Sequence, residues 1–277
     1  MTVKRILFTS LFALFALFEL SAQHTFAITA GYGSAKSRLY PKQEDKQIWG
    51  CYQAGVSWRY YSLPKGVGCI GADLEWVQRG FSYAPYASLY NDPSQYKYYT
   101  RHVNSLMLPI VWQPHAYLFK HHLRVYFEAA FTLSVNINST FENREPMTFG
   151  SASGEGLEVI SGKYNMRLER DNRFGYGLAA GAGLDFLFGQ IEIGFRFRYN
   201  FGYSDIMKNR NKYYDNVIDQ IDYPGENPFW YTPIRSPLDN MTFSLKIGWR
   251  FSKDGFESWK VKKKKRNKQQ DPAKFGM

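Results

Sequence analysis

The stretch Gln190-Ile-Glu-Ile-Gly-Phe-Arg-Phe-Arg-Tyr-Asn-Phe-Gly-Tyr203 decides the fold. Ile191, Ile193, Phe195, Phe197, Tyr199 and Phe201 fall on one parity, and Glu192, Gly194, Arg196, Arg198 and Asn200 on the other. A period of two is the signature of a β-strand with unlike faces. Soluble sandwiches do not oppose a continuous aromatic row with so many charges. Strand 240–251 repeats the design, with Phe243, Leu245, Ile247, Trp249 and Phe251 against Thr242, Ser244, Lys246, Gly248 and Arg250. Strand 174–188 sets Tyr176, Leu178, Ala180, Ala182, Leu184 and Phe186 against a row of small residues and Asp185.

Working toward the N-terminus, the same alternation predicts strands over 122–136, 103–113, 67–80, 50–62 and 24–34. The total is eight, each near the ~9–11 residues that a tilted membrane strand needs. Composition agrees: 18% of residues are aromatic, yet mean hydropathy is only −0.42. Strands with one apolar and one polar face account for both figures, because a closed barrel satisfies every backbone group where lipid offers no water. The fold class expected is all-β, an eight-stranded antiparallel transmembrane β-barrel.

The connections alternate in length. Residues 63–66, 114–121 and 188–190 are short, whereas 35–48, 82–102, 139–172 and 204–239 are long. Short periplasmic turns and long outer loops are what such barrels have, and an even strand count then leaves both termini in the periplasm. Aromatic residues sort by strand direction in agreement with this. Trp58 with Tyr60, Trp112, and Trp249 with Phe251 fall at one interface; Trp76 and Tyr199 with Phe201 fall at the other.

At the N-terminus, Lys4 and Arg5 precede an apolar run from Ile6 to Phe18, followed by Ser21 and Ala22. Such a segment reads as a secretory signal peptide over 1–22, with cleavage after Ala22. A barrel domain of 23–252 and a basic periplasmic tail of 253–277 follow. Residues 252–277 hold nine basic side chains against three acidic ones, including the run Lys262, Lys263, Lys264, Lys265 and Arg266. Export excludes nucleic acid as its target. Anionic head groups, peptidoglycan or an acidic protein are the alternatives to a merely solvated tail.

An eight-stranded barrel is just wide enough for side chains to fill it. The inward parity carries Asp73, Glu75, Glu128, Asp185 and Glu192 against Arg59, Arg124, Arg196, Arg198, Lys246 and Arg250. So balanced a set predicts a structural ion-pair network, with a narrow polar channel as the functional alternative. A hydrolase on this scaffold needs His, Ser and carboxylate within reach of one another. Only His102 with Ser105 lies near an outer rim, and a spacing of three sets them on opposite faces. His115, His121 and His122 read as turn residues. No catalytic residue, metal or cofactor is assigned.

Cys51 and Cys69 are also kept apart by the 63–66 turn, which sets Cys69 opposite residue 60. Cys51 then lies some 30 Å away, on the order of nine strand residues. A disulfide needs Cα atoms within ~7 Å. Two free thiols are expected. The aromatic loops, with Tyr86 and Tyr90 in one and Phe229, Trp230 and Tyr231 in the other, either pack on one another over the mouth or anchor a partner.

Several features resemble one group of proteins. They are Ser21-Ala22-Gln23, the Leu74-Glu75 pair, Leu106 to Pro109, the glycine-rich 175–185 strand and the closing Gly248-Trp249-Arg250-Phe251. Over most of 23–251 the chain resembles the PorT-like outer-membrane β-barrels of Bacteroidota. The resemblance implies a non-enzymatic component linked to protein export through the type IX secretion system. Its expected partners are outer-membrane lipids and other outer-membrane or periplasmic proteins of a secretion or assembly complex. A passive pore, or a surface adhesin or receptor, is the competing reading. Phe251 resembles the terminal aromatic that barrel-assembly machinery recognises, although here the basic tail continues past it.

Overall fold

A computed structural model describes residues 23–40, 42, 44–61, 68–84, 98–119, 122–146, 157–166, 168, 171–208 and 235–251. The strands are β1 (Gln23–Ser37), β2 (Glu44–Lys46), β3 (Ile48–Tyr61), β4 (Cys69–Ala84), β5 (Tyr98–Gln113) and β6 (His115–Leu118). They continue with β7 (Leu123–Pro146), β8 (Leu157–Tyr164), β9 (Phe174–Phe188), β10 (Ile191–Gly202) and β11 (Leu238–Arg250). Residues 1–22, read as a signal peptide, residues 63–66, read as a turn, His121, Tyr86, Tyr90, Phe229, Trp230, Tyr231 and the segment read as a basic tail, with Lys262 to Arg266, lie outside the described residues.

Eight long strands pair antiparallel with their neighbours in chain order, β1-β3-β4-β5-β7-β9-β10-β11, and β11 returns to β1. The seam runs from Thr25↔Arg250 to Ser37↔Leu238 and closes the barrel. Its outward parity is apolar and exposed all round, with Ile28 and Phe127 each 69% exposed, Phe195 55% and Ile247 56%. An apolar surface of that extent has no stable place in water and belongs against hydrocarbon.

Two irregularities adjust the alternation. Gly33 pairs with Cys51 but Ser34 with Trp49, so Gly50 is an extra residue, and its φ of 89° suits glycine. On β7 the partners shift between Asn104↔Asn138 and Ser105↔Asn136, leaving Ile137 unpaired. Beyond it the buried parity of β7 changes from even (Ser134, Asn136) to odd (Ser139, Phe141).

Several segments expected as loops are strand. β4 runs on to Ala84, β5 begins at Tyr98, and β7 continues to Pro146 before returning as β8. Glu44–Lys46 pairs with Ser82–Ala84, and His115–Leu118, expected in a turn, pairs with Leu123–Tyr126. The extensions are built at the long-loop end because their inward side chains find a second core to bury. Phe81, Tyr83, Tyr99, Val103, Phe141, Tyr164, Ile206, Met207 and Leu238 form one apolar cluster there.

Cys51 and Cys69 are both free and buried, with Cys69 paired opposite Tyr61. Neither thiol of the folded barrel is expected to react with a bulky maleimide, and both should react after denaturation. Labelling read by intact mass checks this.

Candidate functional site

The lumen is filled in layers. Nearest the short-turn end, Arg124 on β7 donates to Asp185 on β9 through Nε at 3.0 Å and Nη2 at 2.5 Å. The same Nη2 reaches Glu192 on β10 at 2.6 Å. Lys246 on β11 completes the group, with Nζ 2.8 Å from Asp185 and 3.1 Å from Glu192. Two cations thus meet two carboxylates. The Tyr61 ring packs on the Arg124 guanidinium at 4.3 Å, and the Tyr126 ring lies 5.4 Å from Lys246.

The layer above is larger. Arg198 donates to Glu128 at 2.6 Å, to Asp73 at 2.7 Å and to Glu75 at 2.9 Å. Arg196 bridges Asp73 at 3.0 Å and Glu75 at 2.7 Å. Arg59 pairs with Asp73 as well and donates Nε to Gln113 at 3.0 Å. Three guanidiniums face three carboxylates drawn from β3, β4, β7 and β10. Arg250 stands apart from both layers: it is inward, but its guanidinium donates to the Gly189 carbonyl at the short-turn mouth.

Room for such side chains comes from glycine at inward positions. A Cβ at Gly181 would sit 2.8 Å from Glu128 Oε1, and one at Gly194 would collide with the Asp185 carboxylate. Large and small residues alternate to fill the barrel, as small barrels require.

Above the ion pairs, Arg79 is buried and bonded to neutral groups alone, Ser105 and Asn136. The apolar cluster then closes the long-loop end. Through it passes one more buried pair, Arg101 with Asp171 at 3.2 Å, with the guanidinium stacked 3.8 Å over Tyr164. On the rim, Arg38 donates to Asp239 at 2.8 Å and lies 3.6 Å over the Phe201 ring. Arg79 shares the parity of Asp73 and Glu75 and could have been read from the strand pattern. Arg101 and Asp171 were hidden inside segments read as loops.

His102 is half-buried, whereas Ser105 is fully buried in the lumen and committed to Arg79 and Asn136. The two point to opposite faces. Phe251 is 62% exposed beside the barrel terminus, its ring edge-on to Phe26 at 5.5 Å and its N–H donating to the His24 carbonyl. Of the aromatic side chains read as loop residues, Tyr83 and Tyr99 pack on one another over the mouth, ring centroids 5.8 Å apart.

A closed eight-stranded barrel with a lipid-compatible wall and a filled interior defines an outer-membrane type of protein. Residues 21–208, more than half of the chain, match the family described as outer membrane protein beta-barrel domain, and the chain belongs to that family. Membership places it in an outer membrane. No curated protein sequence matches the chain. Similar solved structures include neisserial surface protein A, at 10% identity and TM-score 0.37, covering 83% of this chain and 99% of that one. The attachment invasion locus protein Ail of Yersinia pestis is 13% identical at TM-score 0.32, covering 82% and 98%. The N-terminal β-barrel domain of Pseudomonas aeruginosa OprF is 12% identical at TM-score 0.29, covering 83% and 100%.

Removing one partner of a buried ion pair strands the others, at about 3–5 kcal/mol. Arg198→Met leaves Glu75 and Glu128 short of a partner and should lower the barrel's unfolding temperature, read from its heat-modifiable gel migration. Exchanging the Arg124 charge should act through Asp185 and Glu192 instead, leaving the middle layer in place.

Proposed function

We propose that this chain is a non-enzymatic, non-conducting outer-membrane barrel that serves as an accessory component of a protein-secretion or outer-membrane assembly complex. In this reading residues 1–22 are its export signal, the short turns and both termini face the periplasm, and the long-loop end faces outward. The observation that carries it is the lumen: two electrically neutral ion-pair layers under an apolar lid. A protein whose interior leaves no continuous passage acts through its surfaces. The candidate surfaces are the outer wall and two sets of segments known from sequence, those read as long loops with Tyr86, Tyr90, Phe229, Trp230 and Tyr231 and that read as a basic tail with Lys262, Lys263, Lys264, Lys265 and Arg266. The resemblance to PorT-like barrels supports type IX secretion as the particular complex.

A surface receptor or adhesin is the second reading, favoured by the hairpin of β7 and β8, which carries ordered structure past the barrel's long-loop rim. Purification from native membranes in mild detergent separates the two. Stoichiometric outer-membrane or periplasmic partners, reduced on deletion of 253–277 or of the aromatic loop tips, are expected for the accessory role; a lone monomer would favour the receptor. In planar bilayers either role predicts no stable open level, and a steady conductance would overturn the closed-lumen reading.

A further inference from the structure

Between the middle ion-pair layer and the apolar lid lies a cavity of about 20 Å³, bordered by Arg79, Ser134, Asn136, Tyr176, Ser204 and Asp205. Arg79 is 6% exposed. Its Nε and Nη2 donate to Ser105 Oγ at 3.2 and 3.0 Å, and Nη2 also donates to Asn136 Oδ1 at 3.0 Å. Its Nη1 takes no hydrogen bond among the described residues. Two further donors border the same space. Ser204 Oγ accepts from the Tyr176 N–H at 2.9 Å, which leaves its own proton to give. Ser134 is buried, and its hydroxyl bonds to nothing among the described residues.

The charges around the cavity are otherwise committed. Asp205 accepts from the Ser236 N–H at 2.7 Å and pairs with Arg235 at 3.2 Å. Asp239 accepts from Arg38 at 2.8 Å and from the Gly202 N–H at 2.9 Å. The lower lumen layers are neutral within themselves. Arg79 is therefore a buried cation hydrogen-bonded only to neutral groups, and Asp239, the carboxylate that acts on it, is shared with Arg38 and the Gly202 N–H. A buried cation so placed costs several kcal/mol unless a further anion offsets it.

We propose that this cavity binds a small monovalent anion, a halide in size, held by Arg79 with the hydroxyls of Ser134 and Ser204. The space is small, about 20 Å³, which favours a single-atom anion over phosphate, sulfate or an organic carboxylate. Water would fit, but it would bring no charge to offset the guanidinium.

The test uses the full-length barrel crystallised in bromide. An anomalous peak is expected in the cavity beside Arg79, falling to background in Arg79→Met. Should Arg79→Met fail to fold, Ser134→Ala with Ser204→Ala keeps the charge, removes two donors, and should weaken the peak. In solution, the thermal midpoint of the wild type should rise when chloride replaces gluconate at fixed ionic strength, as mass action requires, and that rise should vanish in Arg79→Met. A water without anomalous signal, a peak that survives Arg79→Met, or a carboxylate of this chain seated in the cavity would each overturn the assignment.

Discussion

Strand β1 bonds on one side to β3 and on the other to β11, and without that second pairing the sheet would end in two open edges. In hydrocarbon each unpaired N–H or C=O costs several kcal/mol, so an open edge is not a tolerable defect. Closure then dictates the rest. Each long strand must present an apolar side chain to lipid at every second position, and whatever stands at the alternate positions is forced into a narrow common interior. The aromatic row of β10 and the arginines of β10 are two consequences of one constraint.

The interior meets that constraint by matching charge layer by layer. Arg198 touches Asp73 and Glu75 on β4 and Glu128 on β7, and thereby ties opposite walls of the barrel together. Glycines such as Gly181 and Gly194 hold open the space those side chains occupy. Past the membrane band the backbone is still paired, yet the inward residues turn apolar. Phe81, Tyr83, Tyr99 and Phe141 exclude water from the mouth as the ion pairs exclude it from the waist.

Parity made the barrel legible in the sequence, because a period of two survives wherever one face meets lipid and the other does not. Strands 174–188 and 190–203 were readable almost to the residue for that reason. Beyond the band the outward face meets water, the contrast fades, and β8 and the ends of β4, β5 and β7 read as loop. The bulge at Ile137 added to this by inverting the parity of β7 just where the hydropathy contrast was weakening. Arg101 and Asp171 were lost with those segments. The charges inside the band were legible as a set, but alternation names the face of a side chain and not its partner. That Arg250 bonds a backbone carbonyl while Arg198 takes three carboxylates depends on depth in the barrel, which the strand pattern does not encode.

The magnitudes decide what such a lumen can do. A passage through the middle layer would have to part Arg196 and Arg198 from Asp73, Glu75 and Glu128 together. Each separation in a dry interior costs about 3–5 kcal/mol, whereas folded domains hold only about 5–15 kcal/mol in reserve against unfolding. Opening two such contacts consumes most of that reserve before the apolar lid has moved. The network is therefore a strut rather than a gate.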